Sequence, residues 1–350
     1  MNRRLHRLAT LAAFTCLGLT VHAADEKAKI VILDPAEGGI DYKMQGEYVG
    51  GEGAAKWGAQ VIALGDGKFH AVFEPGGLPG DGWDAKTRYE CEGELDHDKV
   101  TLHGVDKVAW GNGHFPPPTE VKQGFAATIS GDAITAKLET GQTISLKRTE
   151  RHSPTEGLKP PQGATVLFDG SNVDQLKNGK IIAQGPMKGM LKEGAETKQM
   201  VSDFEFHAEF IEPFKPFARF QERGNSGIYI QKRYEMQVLD SFGLLGFDNE
   251  CGGAYTKHPP LVNMAYPPLT WQTYDIEFKA ARYEKGQRVS QATVTAKLNG
   301  VLVQDHYELV GPTGAGQKEK PADDIQTGPI YLQDHNNPVA YRNVWMVVRK

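Results

Sequence analysis

Three stretches of this chain gather residues that could do chemistry. The first is GNSGIYIQKRYEMQVLDSFG, Gly224 to Gly243, which reads as two short strands, 227–231 and 234–240, joined tightly through Lys232 and Arg233. Strand side chains alternate between faces, so Glu235 and Gln237 share one side with Leu239, while Tyr234, Met236, Val238 and Asp240 share the other. A carboxylate beside a carboxamide, flanked by aromatic residues, suits a floor that handles a polyhydroxylated ligand. The plainer alternative is a solvated outer face on which Glu235 is merely exposed. The second stretch, GPIYLQDHNN, ends a strand in Asp334 and His335. Sequential neighbours on a strand point apart, so Asp334 need not orient His335, and a polar loop is the plainer reading. The third, residues 252–271, is long, rich in proline and without alternation, and reads as a loop carrying the binding candidates His258, Asn263, Tyr255 and Tyr266.

Other chemistries find no support. No P-loop, dinucleotide glycine motif, His-Glu-x-x-His or calcium loop is present, and Ser226 lacks the G-x-S-x-G frame of a nucleophile elbow. His70, His97, His103 and His114 show no ligand spacing and read as surface or satisfied polar residues. Trp57, Trp83 and Trp110 could stack on sugar rings or anchor a core.

The elements that must position these residues are strands. With 40 Gly and 20 Pro in 350 residues and almost no helical periodicity, the chain reads as all-β. Residues 24–152 read as a small β domain, with strands at 59–63, 68–73, 99–103, 125–130, 133–138 and 143–147; the last three suggest a meander. A Pro-containing linker follows at 153–162. Residues 163–350 then carry about ten strand patterns, the size of a two-sheet jelly roll, with Phe204, Phe206 and Phe210 on one strand face and a type I′ hairpin signal at Leu298-Asn299-Gly300-Val301.

The bulk composition sets further limits. A net charge of −5 without a basic stripe argues against a nucleic-acid partner. Residues 1–23 read as a signal peptide: Arg3, Arg4 and Arg7, an apolar stretch too short to span a bilayer, then Val21-His22-Ala23. The expected location is outside the cytoplasm of a Gram-negative-type cell, in the periplasm, with no membrane anchor. Beyond the leader only Cys91 and Cys251 remain, and they fit one disulfide or two separate buried thiols.

Five segments in order carry a resemblance: the Gly224–Gly243 stretch, Leu261-Val262-Asn263 followed by Pro267-Pro268, TWQTYDIEFKAAR, LNGVLV, and GPIYLQDHNNPVAYRNVW. Over roughly 163–350 the chain resembles the 3-keto-disaccharide hydrolase domain family. One departure is the segment PFKPFARFQE, 213–222, which is longer and more basic-aromatic than the family pattern. The resemblance implies a concanavalin-like β-sandwich and cleavage of glycosides already oxidised at C3, with a sugar 3-dehydrogenase acting upstream. A C3 ketone acidifies the C2 proton, and the glycosidic oxygen on C1 can then leave by elimination. Such a reaction needs a base near C2, a donor or cation at the C3 oxygen, and an acid at the leaving oxygen. In this chain Glu235 suits the base, Arg233 or a divalent cation the enolate oxygen, and His335 or Asp334 the acid or a metal ligand. Gln237, Asn225, Ser226, Tyr229, Asn263 and His258 are the expected substrate contacts. The competing readings are a carbohydrate-binding module without catalysis and a conventional two-carboxylate glycosidase; Gln237, two residues after Glu235, argues against the latter.

Overall fold

The computed structural model describes residues 26–106 and 111–349; the expected leader and Trp110 lie outside the described residues. Strands dominate, as the composition predicts, and no helix among the described residues is long and apolar enough to cross a membrane.

The N-terminal part is built from β1 (Gly46–Gly50), β2 (Trp57–Gly65), β3 (Lys68–Pro75), β4 (Thr87–Asp96), β5 (Lys99–Gly104), β6 (Glu120–Gln123), β7 (Ala126–Ser130), β8 (Ala133–Lys137) and β9 (Thr143–Thr149). Each of these except β6 pairs antiparallel with its neighbours, and β9 returns to β1, so the meander closes into an eight-stranded barrel. β6 lies parallel to the start of β4. Alternation fills the interior: Ala59, Val61 and Ala63 face Phe69, Ala71 and Phe73 in one core. A barrel of this size has room for side chains and little else. Trp57 belongs to the same cluster, with Tyr89 and Phe125 5.7 and 5.9 Å from its ring. β1, β4 and β6 escape the sequence reading. In β4 the charged positions Arg88 and Glu90 look solvated, yet both are buried on the barrel's outer face.

The C-terminal part is a two-sheet sandwich, β10 (Thr165–Phe168) to β23 (Ala340–Val348). Between these come β11 (Leu176–Lys177), β12 (Leu191–Lys192), β13 (Glu196–Thr197), β14 (Phe204–Ile211), β15 (Ser226–Ile230), β16 (Tyr234–Val238), β17 (Gln272–Lys279), β18 (Arg282–Glu284), β19 (Gln287–Ser290), β20 (Ala292–Leu298), β21 (Val301–Leu309) and β22 (Ile330–Leu332). One sheet runs β10-β23-β14-β17-β20-β21, with β12 also on β23; the other runs β11-β13-β22-β15-β16. Phe204, Phe206 and Phe210 from the first sheet meet Ile228, Ile230, Tyr234, Met236 and Val238 from the second in one core. Asn299 and Gly300, at φ +52° and +78°, make the expected I′ turn.

Residues 153–158, expected as linker, lie along the outer side of the first sheet. Thr155 Oγ1 donates to Asp275 Oδ2 (2.8 Å), and the Gly157 N–H donates to Glu209 Oε1 (2.6 Å). Cys91 sits in the barrel core and Cys251 in the sandwich core, both as free thiols, so they form no disulfide.

The two parts are locked together. Phe214, from the long 213–222 segment, exchanges backbone hydrogen bonds with Ile32 and buries its ring in the barrel core, edge-on to Tyr42. Phe217 packs on Gly65, and Arg219 Nη2 donates to the Leu64 carbonyl (3.0 Å). The extra length of this segment therefore binds the barrel. Arg88 donates to the carbonyls of Gly243 (2.7 Å) and Leu244 (2.9 Å), and Ile62 packs with Phe242 and Leu244.

Candidate active site

The five-stranded sheet has one face in the sandwich core and one facing away from it. Residues opposite each other on paired strands share a face, so the register maps that second face directly. Lys177 lies opposite Glu196, Glu196 opposite Tyr331, Tyr331 opposite Tyr229, and Tyr229 opposite Glu235. The row continues beyond β16, because residues 252–255 pair with it: the Tyr255 N–H donates to the Glu235 carbonyl and Ala254 bridges Met236. The adjoining row is Gln333, Gly227, Gln237 and Gly253. Aromatic side chains beside two glycines make a groove, and Glu235 stands in it between Tyr229 and Tyr255.

The glycine beside Glu235 is required by space. A Cβ on Gly227 would sit 2.3 Å from Glu235 Oε1, so the carboxylate leans across that position. Glu235 is only 3% exposed, which answers the alternative of a solvated face. Burial raises its carboxyl to about 7, against a smaller opposing effect of the Tyr229 hydroxyl donating to it. Burial, then the Glu235 charge, raises the Tyr229 and Tyr255 phenols, which therefore stay protonated as donors. Thr313 Oγ1 accepts the Glu235 N–H (2.7 Å), and Gly314 lies over the Tyr255 ring at the covered end of the groove.

At the other end is a set of carboxamides. Gln237 Nε2 donates to Gln221 Oε1 (2.8 Å) and to the Asn249 carbonyl (3.2 Å), and Asn225 Nδ2 donates to the Gln221 carbonyl (2.9 Å). The acceptor oxygens Asn225 Oδ1, Asn249 Oδ1 and Gln333 Oε1 are buried without hydrogen-bond partners, which suits a ligand rich in hydroxyl donors.

Some expected site residues stand elsewhere. Ser226 faces the core, bonded to the Gln333 carbonyl and to Tyr341 Oη (both 2.7 Å). Asn263 Nδ2 is committed to the carbonyls of Ser241 and Leu244, holding the loop that meets the barrel. His258 stacks on Tyr307 and bonds Gln304 Oε1 (2.9 Å), on the first sheet. The hairpin turn spans three residues, because Ile230 pairs with Tyr234, and Arg233 is tied within it to Gln231 Oε1 (3.0 Å) and the Thr327 carbonyl (3.2 Å). Asp334 and His335 lie on an exposed rim loop; Asp334 Oδ1 accepts the Asn336 N–H (3.0 Å). Two strands over and three residues along, the Asp334 backbone is roughly 14 Å from that of Glu235. Among the described residues no group of three or more His, Cys, Asp or Glu side chains is placed to hold a metal ion. A separate cavity lies between barrel and sandwich, lined by Glu47, Arg148, Arg151 and Trp271 among others, with Arg151 neutralised by Glu47.

A family model described as the 3-keto-alpha-glucoside-1,2-lyase-like domain matches residues 163–347, the whole sandwich and its groove. The chain belongs to that family. Two solved structures of candidate glycosyl hydrolases from Parabacteroides distasonis ATCC 8503 are similar to it. One is 32% identical, covering 54% of this chain and 85% of that chain, with a TM-score of 0.47. The other is 18% identical over 54% of this chain and 95% of that chain, with a TM-score of 0.36. No curated protein matches. The barrel stands outside the 3-keto-alpha-glucoside-1,2-lyase-like domain, yet it touches the groove of that domain through Asn249.

Proposed function

We propose that this protein cleaves glycosides oxidised at C3, with Glu235 removing the C2 proton. The observation that carries the reading is a buried carboxylate, raised to about 7, standing in a groove between two phenols and beside glycines. A base working near neutral pH needs such a value. The ketone spreads the resulting charge onto its oxygen, and an O–H donor there lowers the barrier further. Tyr255 serves that role better than Arg233, whose guanidinium is engaged in the turn. The buried carboxamide oxygens hold ring hydroxyls. Loss of the C1 oxygen leaves a 1,2-unsaturated 3-keto sugar, to which water can add, so the net outcome is elimination or hydrolysis.

The reading also implies a supplier. The substrate's ketone must come from oxidation of a sugar hydroxyl, so a sugar 3-dehydrogenase acts before this protein, and we place both steps in the periplasm. A conventional glycosidase needs a second carboxylate across the scissile bond; Gln237 occupies the next groove position, Asp240 is buried against Arg223, and Asp248, the carboxylate nearest along the loop, is engaged by the N–H groups of His114 and Phe115.

The test is product release from 3-keto-glycosides and their unoxidised parents by wild type and Glu235→Gln. The expected result is cleavage of the keto forms alone, reduced on the order of 10²–10⁴-fold by the substitution. Cleavage of the parents would overturn the keto requirement. Binding without turnover would make the protein a carbohydrate-binding module.

A further inference from the structure

The barrel meets the groove through residues 111–115, and the contact is built closely. A Cβ on Gly113 would lie 2.4 Å from Asp248 Oδ1 and 2.8 Å from Asn249 Oδ1. The N–H groups of His114 and Phe115 donate to Asp248 Oδ1 (2.7 and 3.1 Å), the Asp248 N–H donates to the Phe115 carbonyl (3.1 Å), and Asn249 Nδ2 donates to Asn112 Oδ1 (2.7 Å). The other Asp248 oxygen, Oδ2, is buried and has no hydrogen-bond partner. His114 Nδ1 stands 3.8 Å from it, on a ring that is 74% exposed.

The same segment borders the reacting end of the groove. The Thr256 N–H donates to the Asp248 carbonyl (3.1 Å), next to Tyr255 and therefore next to Glu235. The Asp248 backbone is about two interstrand spacings, ~10 Å, from that of Glu235, with Tyr255 between them, its phenol raised by the charges of both carboxylates after burial. The rim loop with Asp334 and His335 lies farther off on the opposite side.

We propose that His114, from the barrel, is the proton donor to the leaving glycosidic oxygen, and that Asp248 positions its ring. This rests on the elimination chemistry proposed above. Glu235 takes the C2 proton, and that C–H pair forms the C2=C3 enolate. The His114 imidazolium, its Nδ1–H turned to Asp248 Oδ2, gives its Nε2 proton to the glycosidic oxygen. The C1–O bond breaks with its pair left on oxygen; the enolate pair forms C1=C2, and the C3 carbonyl returns. A small turn of the exposed ring closes the 3.8 Å gap, as apo catalytic pairs commonly require.

The experiment compares wild type and His114→Asn in full-length protein on two 3-keto-glucosides, one of 4-nitrophenol and one of methanol. Nitrophenolate leaves without protonation, whereas methoxide does not. The expected result is a loss on the order of 100-fold for the methyl glycoside with little change for the nitrophenyl one. Equal loss on both would make His114 structural, and no loss on either would remove it from the reaction; each overturns the proposal. If wild type cleaves neither keto-glycoside, the elimination reading itself fails, a result distinct from both. Asp248→Asn supplies the second variant: it should reproduce the leaving-group dependence in weaker form, and uniform loss would count against its positioning role.

Discussion

Burial keeps the Glu235 carboxyl protonated up to about pH 7, and a base must be ionised to work. Activity, measured as kcat/KM on a nitrophenyl 3-keto-glycoside, whose leaving group needs no acid, should therefore rise with pH through about 7 and level off above it. The same shift has a stability sign. A carboxyl whose folded value is raised contributes stability that is fully present below its unfolded value of 4.5 and lost as pH rises through 7. Glu235→Gln cannot charge, so it should gain on wild type between pH 5 and pH 8, by at most about 3 kcal/mol; urea melts at both pH values measure it. Gly227 offers a separate probe. Gly227→Ala places a methyl where Glu235 Oε1 now lies, and should cost roughly 100-fold in kcat while the fold is retained by circular dichroism.

The groove is a product of strand register, and register explains what could be read in advance. Alternation alone put Glu235 and Gln237 on one face, because period two needs no partner strand. Tyr255 could not be assigned in the same way. It joins the row only because residues 252–255, which lack alternation, pair with β16. Ser226, an expected substrate contact, is the first residue of a strand, and it points to the core. Asp248 and Asn249 gain their importance from contacts with a segment more than a hundred residues earlier, which no local pattern encodes. At this scale the loop over Glu235 is the element to perturb. Gly314 has φ +40° and its added Cβ would lie 3.1 Å from the Tyr255 ring. Gly314→Val should press the ring onto the carboxylate and lower kcat/KM at least tenfold, with a smaller effect on thermal stability, read by calorimetry beside the kinetics.

Barrel and sandwich share Phe214, the Arg88 contacts and the Ile62 cluster, so they should unfold together. Intrinsic fluorescence and circular dichroism should report coincident transitions in wild type. Phe214→Ala empties a buried site in the barrel core and should cost about 3–5 kcal/mol, separating the two transitions. The borrowed ring also bears on how the protein is made. The ribosome releases the barrel strands first, and Phe214 emerges only after β14. Until then the newborn barrel carries an apolar opening beside Tyr42 and Met44 that nothing in its own chain fills. Synthesis thus sets an interval during which the half-made protein needs shielding, and a gene cut after the barrel should yield aggregates where the full-length gene yields soluble protein.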